Sequence, residues 1–285
     1  MRDRLKQLMG PRWQARLRRA GRLRLLSKWQ NLRRYGVSLR DQPRLALRYL
    51  ILDPEVESFT FDVDNEAEHV EFVRQALGAA PEQARGWIEE TRTDPELNER
   101  LGSHMRLRRL SVKQRNPPGH RLVWYLVVRA LKPELTVEAG ILNGMGTLVL
   151  LRALARNSEE GSPGRLLSFD PVAEAGWLVP ERLGGPWERH AETTDEGLER
   201  ALAGREVGLL VHDSIHDPDV QRRDFETVLR HAAPEMAIVN GGGLLTDVLR
   251  TVAVAHGTEH RYLREQPRDH VYRPIGSGLA VFRRA

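Results

Sequence analysis

The chain has no cysteine among its 285 residues. Disulfides, thiolate nucleophiles and cysteine-bound zinc are therefore excluded, and the expected compartment is a reducing cytoplasm. Long apolar runs are missing as well. The longest, Leu122 to Leu131, is broken by Arg129 and is far below the ~20 residues that a membrane span requires. The N-terminal stretch holds no uninterrupted apolar core of the signal-peptide kind. Repeats and low-complexity segments are absent. Lysine is scarce, since arginine supplies all but four of the 44 basic residues. Acid is scarce in one place: residues 1–50 hold 15 Lys or Arg and only Asp3 and Asp41, a charge of +13 against +5 for the whole chain. The remainder is net acidic. Such an arm could meet nucleic acid, anionic lipid or its own acidic body.

What is present is the composition of a soluble globular protein, 40% hydrophobic and 29% charged. The length suits one large or two modest domains. Residues 135–147, Leu-Thr-Val-Glu-Ala-Gly-Ile-Leu-Asn-Gly-Met-Gly-Thr, carry the most specific signal. A short apolar run ends in the acid Glu138. A turn with Gly140, Gly144 and Gly146 follows, then an apolar periodic stretch from Leu148 to Ala155. The pattern predicts strand, tight loop and helix. Glycine there lets the backbone approach a ligand closely. The spacing is G-x-x-x-G-x-G, which differs from the G-x-G-x-x-G of dinucleotide-binding loops. A second strand-like run, Arg165 to Phe169, ends in Asp170. Further runs lead from Val207 into His212-Asp213-Ser214-Ile215-His216, and from Met236 into Asn240-Gly-Gly-Gly243. A helical pattern of Leu245, Val248, Leu249 and Val252 comes next, and two last strand-like stretches lie at 260–264 and 278–283.

Glu138 with the glycine loop, Asp170 and the His-Asp-Ser-x-His run resemble the class I S-adenosylmethionine-dependent methyltransferases. The likeness is greatest to the branch of sugar and natural-product O-methyltransferases and relatives of cephalosporin-type hydroxylases. The resemblance covers residues 117–285 and implies an α/β fold: a Rossmann-like sheet with helices on both faces, preceded by a mostly helical N-terminal region. It implies methyl transfer to a small-molecule or sugar acceptor, most simply at a hydroxyl. A regulatory cofactor-binding protein and a hydroxylase-like relative stay open as alternatives. By the same resemblance Glu138, Gly140, Asn143 and Gly144 flank the methionine end of S-adenosylmethionine. Asp170 holds the ribose, Pro171 and Thr193 border the adenine, and Asp213 ends the fourth strand beside the methyl.

Metal-dependent relatives pair an Asp after the fourth strand with an Asp-Asp or Asp-Asn pair after the fifth. Asp213 matches the first ligand, but the pair falls at Gly241-Gly242, and glycine offers no side-chain oxygen. A divalent metal is therefore not expected. His216 and His212 are the candidate proton acceptors, because an imidazole titrates near neutral pH.

Asn116-Pro-Pro-Gly119 is the clearest punctuation in the chain. It sets an expected boundary between a basic, mostly helical region, 1–116, and the cofactor-binding domain, 117–285. Leu5, Met9, Trp13 and Leu17, then Leu25, Trp29 and Leu32, recur at helical spacing. This region is expected to dock on its own domain or on a second subunit. Peripheral contact with an anionic membrane is a second reading, and nucleic acid is not favoured. Phe59-Thr60-Phe61 reads as β-prone. Asn65 with Glu68 reads as a capping box for a helix stopped at Gly78, and Asp94-Pro95 starts another.

Overall fold

A computed structural model describes residues 25–34, 36–51, 62–107, 118–243, 245–268, 271 and 276–284. Leu5, Met9, Trp13, Leu17, the Phe59–Phe61 stretch and the expected boundary at Asn116 lie outside them. The described residues fall into two compact units. One comprises residues 25–51, 105–107 and Val271. The other holds 62–104, 118–268 and 276–284, so the helical segments between residues 66 and 104 share a unit with the sheet. Among the described residues no helix is long and apolar enough to cross a membrane.

The smaller unit pairs a helix over residues 25–34 with α1, Pro43–Ile51. Leu32, Val37, Ala46, Tyr49 and Val271 form its core.

The larger unit is built on seven strands: β1 Leu135–Ala139, β2 Arg165–Phe169, β3 Trp187–His190, β4 Val207–His212, β5 Ala232–Asn240, β6 His260–Leu263 and β7 Ser277–Arg283. Their order across the sheet is β3-β2-β1-β4-β5-β7-β6. The first five are mutually parallel, and β7 runs antiparallel between β5 and β6. This is the α/β sheet that the alternating runs predict, closed by the antiparallel pair. Five helices follow the parallel strands or precede them: α5 Leu122–Leu131, α6 Met145–Glu159, α7 Thr194–Leu202, α8 Pro218–Arg230 and α9 Val248–Ala255. Upstream lie α2 Glu66–Leu77, α3 Pro81–Thr93 and α4 Pro95–Leu107.

Side chains alternate between the faces of a strand. Leu135 and Val137 of β1 join Leu167, Phe169, Leu198, Leu202, Phe225, Val228, Val248 and Val252 in one core, covered by α7, α8 and α9. Thr136 and Glu138 point to the other face, where α5 packs on α6. β1 is buried along its whole length, as a central parallel strand must be when both faces are covered.

Local chemistry sets where the helices begin. Asp217 accepts from the amides of Asp219 and Val220, with Pro218 at the first helical position of α8. Buried Asp94 accepts from Leu97 N at 2.9 Å at the start of α4, and its other oxygen takes two hydrogen bonds from Arg152 of α6. Gly78 ends α2 with φ +71°. Asn65 departs from the capping-box expectation. Its side chain makes no cap bond to the helix. Instead its Nδ2 donates to Glu68 Oε2 and Arg264 O, and its Oδ1 accepts from Gln266 N. It thus ties α2 to the chain after β6. Beside this contact Asp62–Val63 pairs antiparallel with Pro267–Arg268.

Candidate active site

The register of the sheet builds the site. His190, Phe169, Ala139, His212, Asn240, Gly278 and Tyr262 pair in one continuous row. The parallel strands therefore end level. The residues that follow β1, β2, β4 and β5 are Gly140, Asp170, Asp213 and Gly241, and they stand along one edge. In open α/β sheets ligands bind beyond this carboxyl edge.

The glycine loop turns through left-handed backbone at Gly140, φ +93°, and Gly144, φ +90°. A Cβ at Gly140 would lie 2.5 Å from the Asp213 carbonyl oxygen, and one at Gly144 would lie 2.8 Å from Gly176 Cα. No other residue fits either place. Leu142, between them, is also left-handed, at φ +51°. Asn143 Oδ1 accepts from Met145 N, and the Asn143 carbonyl from Leu178 N. Gly146, in the first turn of α6, lies against Trp124, Glu138 and Arg121.

Asp170 faces this loop from β2. Its Oδ2 accepts from Ile141 N at 3.0 Å and Leu142 N at 2.9 Å, and its Oδ1 accepts from Val172 N at 2.9 Å. A carboxylate has about four lone-pair directions, so this half-exposed side chain retains acceptor capacity. Pro171 is exposed, and Thr193 precedes α7, where its N–H and hydroxyl donate to Glu196.

Glu138 is only 1% exposed. Its Oε2 accepts from Thr147 Oγ1 at 2.8 Å and Ser168 Oγ at 2.7 Å, and Trp187 Nε1 donates to the same serine. Among the described residues its Oε1 has no hydrogen-bond partner. Burial pushes the carboxyl up to about 7 against the opposing pull of these hydroxyls and of Arg121. Glu138 therefore joins β1, β2 and α6 beneath the loop.

Asp213 and His216 meet the chain after β5. A Cβ at Gly241 would lie 2.5 Å from Asp213 Oδ1, and one at Gly242 would lie 2.4 Å from His216 Cε1. The two glycines where an acidic pair was expected are thus where the carboxylate and the imidazole pack. Burial raises the Asp213 carboxyl, while Arg121, His216 and His212 oppose the rise. Its side chain still keeps 25% of its surface accessible. Burial lowers His216, and Asp213 opposes that shift. His212 is fully buried; its Nε2 is 3.2 Å from Asp224 Oδ2, and its ring meets Phe225 edge-on. That location braces β4 on α8 and gives His212 no accessible surface. Among the described residues no group of three or more His, Asp or Glu converges as a metal would need.

Two charged residues enter the site that the motifs do not mark. Arg121 precedes α5, stacks 5.3 Å from the Trp124 ring, and lies 3.8 Å from Asp213 Oδ2. Glu265 follows β6, is 2% exposed, and accepts from Ser277 Oγ at 3.3 Å. Burial pushes it up to about 7, and Asp213 adds to the rise. Neither lies in a patterned segment, so only the folded chain brings them here.

The family model described as a methyltransferase domain matches residues 137–240. Over that span the chain is similar to a methyltransferase domain. The crystal structure of an O-methyltransferase from Bacillus cereus in complex with SAH aligns with a TM-score of 0.52 at 15% identity, over 75% of this chain and 96% of that one. An O-methyltransferase from Streptomyces achromogenes involved in tomaymycin synthesis, in complex with SAM, gives 0.49 at 17%, over 68% and 92%. At such identities the likeness is one of fold. No curated protein matches the chain in sequence. The matched span opens in β1 and closes at Asn240, so it takes in the glycine loop, Asp170, Asp213 and His216.

The raised Glu138 has a consequence for stability. Its folded value, about 7, lies above the unfolded value of about 4.3. The favourable contribution is therefore full below the unfolded value and is lost as pH rises through about 7. Glu138→Gln removes this loss. Urea unfolding should show the variant gaining on the parent by roughly 2–3 kcal/mol between pH 4.5 and pH 8. A pH-independent difference would place the ionisation elsewhere.

Proposed function

We propose that this chain transfers a methyl group from S-adenosylmethionine to a hydroxyl of a small-molecule or sugar acceptor, in the cytoplasm. The observation that carries the reading is the level strand edge, with Gly140, Asp170 and Asp213 on adjacent strand ends of a span similar to a methyltransferase domain. When bound, S-adenosylmethionine supplies an activated methyl on a sulfonium.

The residues present fit such a group. Gly140 and Gly144 let the loop turn tightly against the backbone of Asp213 and Gly176 at the strand ends. Asp170, with three of about four lone-pair directions taken by backbone amides, keeps acceptor capacity for a ribose hydroxyl. Pro171 and Thr193 would border the adenine, and Asn143 would lie with the glycines toward the methionine end. Glu138 acts from beneath, by holding the loop and α6 on β1. Asp213, next to the methyl, positions rather than accepts. Its carboxyl opposes the lowering of His216 and lies 3.8 Å from Arg121.

Displacement at a methyl needs alignment of the two reactants and removal of the acceptor proton. His216 takes that proton in this reading. Its lowered pKa keeps the imidazole neutral at pH 7, in the form that accepts. His212, buried on Asp224, steadies the strand end from which Asp213 and His216 depart. The reaction needs no divalent ion here, because Gly241 and Gly242 replace the oxygen donors that Mg²⁺ coordination would call for.

Calorimetric titration with S-adenosylhomocysteine tests the cofactor site. Asp170→Ala removes a charged acceptor whose bonds each contribute roughly 1.5–3 kcal/mol, so affinity should fall about tenfold or more. Unchanged affinity would sink the ribose assignment.

Turnover against a panel of sugar and phenolic acceptors tests the chemistry. Methylated product should form in EDTA and fall about 10²-fold in His216→Ala. Because His216 is lowered, the rate should fall on the acid side with a midpoint below that of a free imidazole, about 6.5. Loss of activity in EDTA, restored by Mg²⁺ or Mn²⁺, would refute metal independence. Cofactor binding with no product from any acceptor would favour a regulatory protein.

A further inference from the structure

The smaller unit has an unusual distribution of side chains. Inside it, Lys28 is 4% exposed and Asn31 is 9% exposed. Lys28 Nζ donates to the Tyr49 carbonyl at 2.7 Å and lies 5.0 Å from the centre of the Tyr49 ring, while Asn31 Nδ2 donates to the Tyr49 hydroxyl at 3.1 Å. The contact between the helix over residues 25–34 and α1 is thus partly polar. Outside, large apolar side chains face water: Leu25, Leu26, Trp29, Leu47 and Ile51 are between 45% and 72% exposed. Scattered exposed leucines are ordinary, but these are not scattered. Leu25 and Leu26 stand one turn before Trp29, and Leu47 stands one turn before Ile51, so each helix carries an apolar stripe.

Charge accompanies the stripes. Arg33, Arg34, Arg40 and Arg44 are exposed. Residues 25–51 hold six Lys or Arg and a single acid, Asp41, which accepts from Ser38 Oγ at 2.6 Å. Three occupants could cover such a surface, and they differ in what they demand. A second copy would bring the same positive charge against itself. Nucleic acid would match the charge but has no use for leucine and isoleucine, and reads aromatic faces, of which Trp29 is the exposed one among the described residues of this unit. An anionic lipid surface takes both parts: apolar side chains enter the headgroup and acyl boundary, while arginine meets the negative headgroups.

We propose that residues 25–51 dock the protein on an anionic bilayer, with Leu25, Leu26, Trp29, Leu47 and Ile51 as the inserted set and Arg33, Arg40 and Arg44 as the headgroup contacts. The proposal rests on this unit alone and is independent of the methyl-transfer reading.

Sedimentation of the full chain with vesicles is the test. Vesicles of phosphatidylcholine with one-third phosphatidylglycerol should bind the protein at least tenfold more strongly than pure phosphatidylcholine, and high salt should weaken that binding severalfold. L26E/W29E and L47E/I51E alter only exposed positions. Each should lower vesicle binding about tenfold or more while leaving S-adenosylhomocysteine binding and the unfolding midpoint unchanged. Equal binding to neutral and anionic vesicles would overturn the proposal, as would variants that bind like the parent. A dimer in light scattering that L26E/W29E or L47E/I51E dissociates, without vesicle binding by the parent, would assign the stripes to a second copy. Binding to duplex DNA with no binding to vesicles would assign the charge to nucleic acid.

Discussion

The site depends on three loops meeting at close quarters, backbone on backbone at Gly140 and backbone on side chain at Gly241 and Gly242. The chain after β1 touches the chain after β4 at Gly140, and the chain after β5 touches the same loop at Gly241 and Gly242. At each of these positions a methyl group would overlap an atom of Asp213 or His216. Glycine there is a steric requirement of the fold as found. The matched register of β2, β1, β4 and β5 over their last residues, beyond the shift between Val207 and Leu209, makes the requirement possible, because it brings the strand ends level before the loops depart. One residue of slip in any strand would move its loop out of the row and turn its side chains to the opposite face.

Electrostatics follow from this crowding. Glu138, Asp213 and Glu265 are three carboxyl groups in a poorly solvated region, and burial pushes each of them toward the neutral form. Arg121 opposes the shift at Glu138 and Asp213, although its own position is fixed by Trp124 and the turn before α5. Removing one member of such a set changes the others, since each charge senses its neighbours across a low-dielectric gap. His216 belongs to the same set. Its reduced basicity is a product of burial, moderated by the carboxylate beside it.

Much of the sheet was legible in the amino-acid order. The central strands are short, apolar and bounded by glycine or acid, and the glycine loop announces a tight strand-to-helix turn. The last two strands, read as strand-like stretches at 260–264 and 278–283, were legible too. β3 was not. Trp187-Glu-Arg-His190 is a four-residue edge strand with mostly half-exposed side chains, so it lacks the apolar run by which its neighbours are recognised. Asn65 shows a different limit. The local pattern marks a helix start correctly, yet the side chain bonds to residues nearly two hundred positions away. Arg121 and Glu265 show the same limit at the site. Local periodicity records which face of an element is buried, but a lone charge drawn into a site by tertiary packing leaves no periodic trace.

The central claim is that the glycine loop and the ends of β2 and β4 form one cofactor cradle. Amide hydrogen exchange, read with and without S-adenosylhomocysteine, tests it without presuming an acceptor. The account predicts slowed exchange confined to 140–146, 170–173 and 213–216, the three segments that the level strand edge brings together. Protection absent from all three, or concentrated elsewhere in the chain, would contradict it.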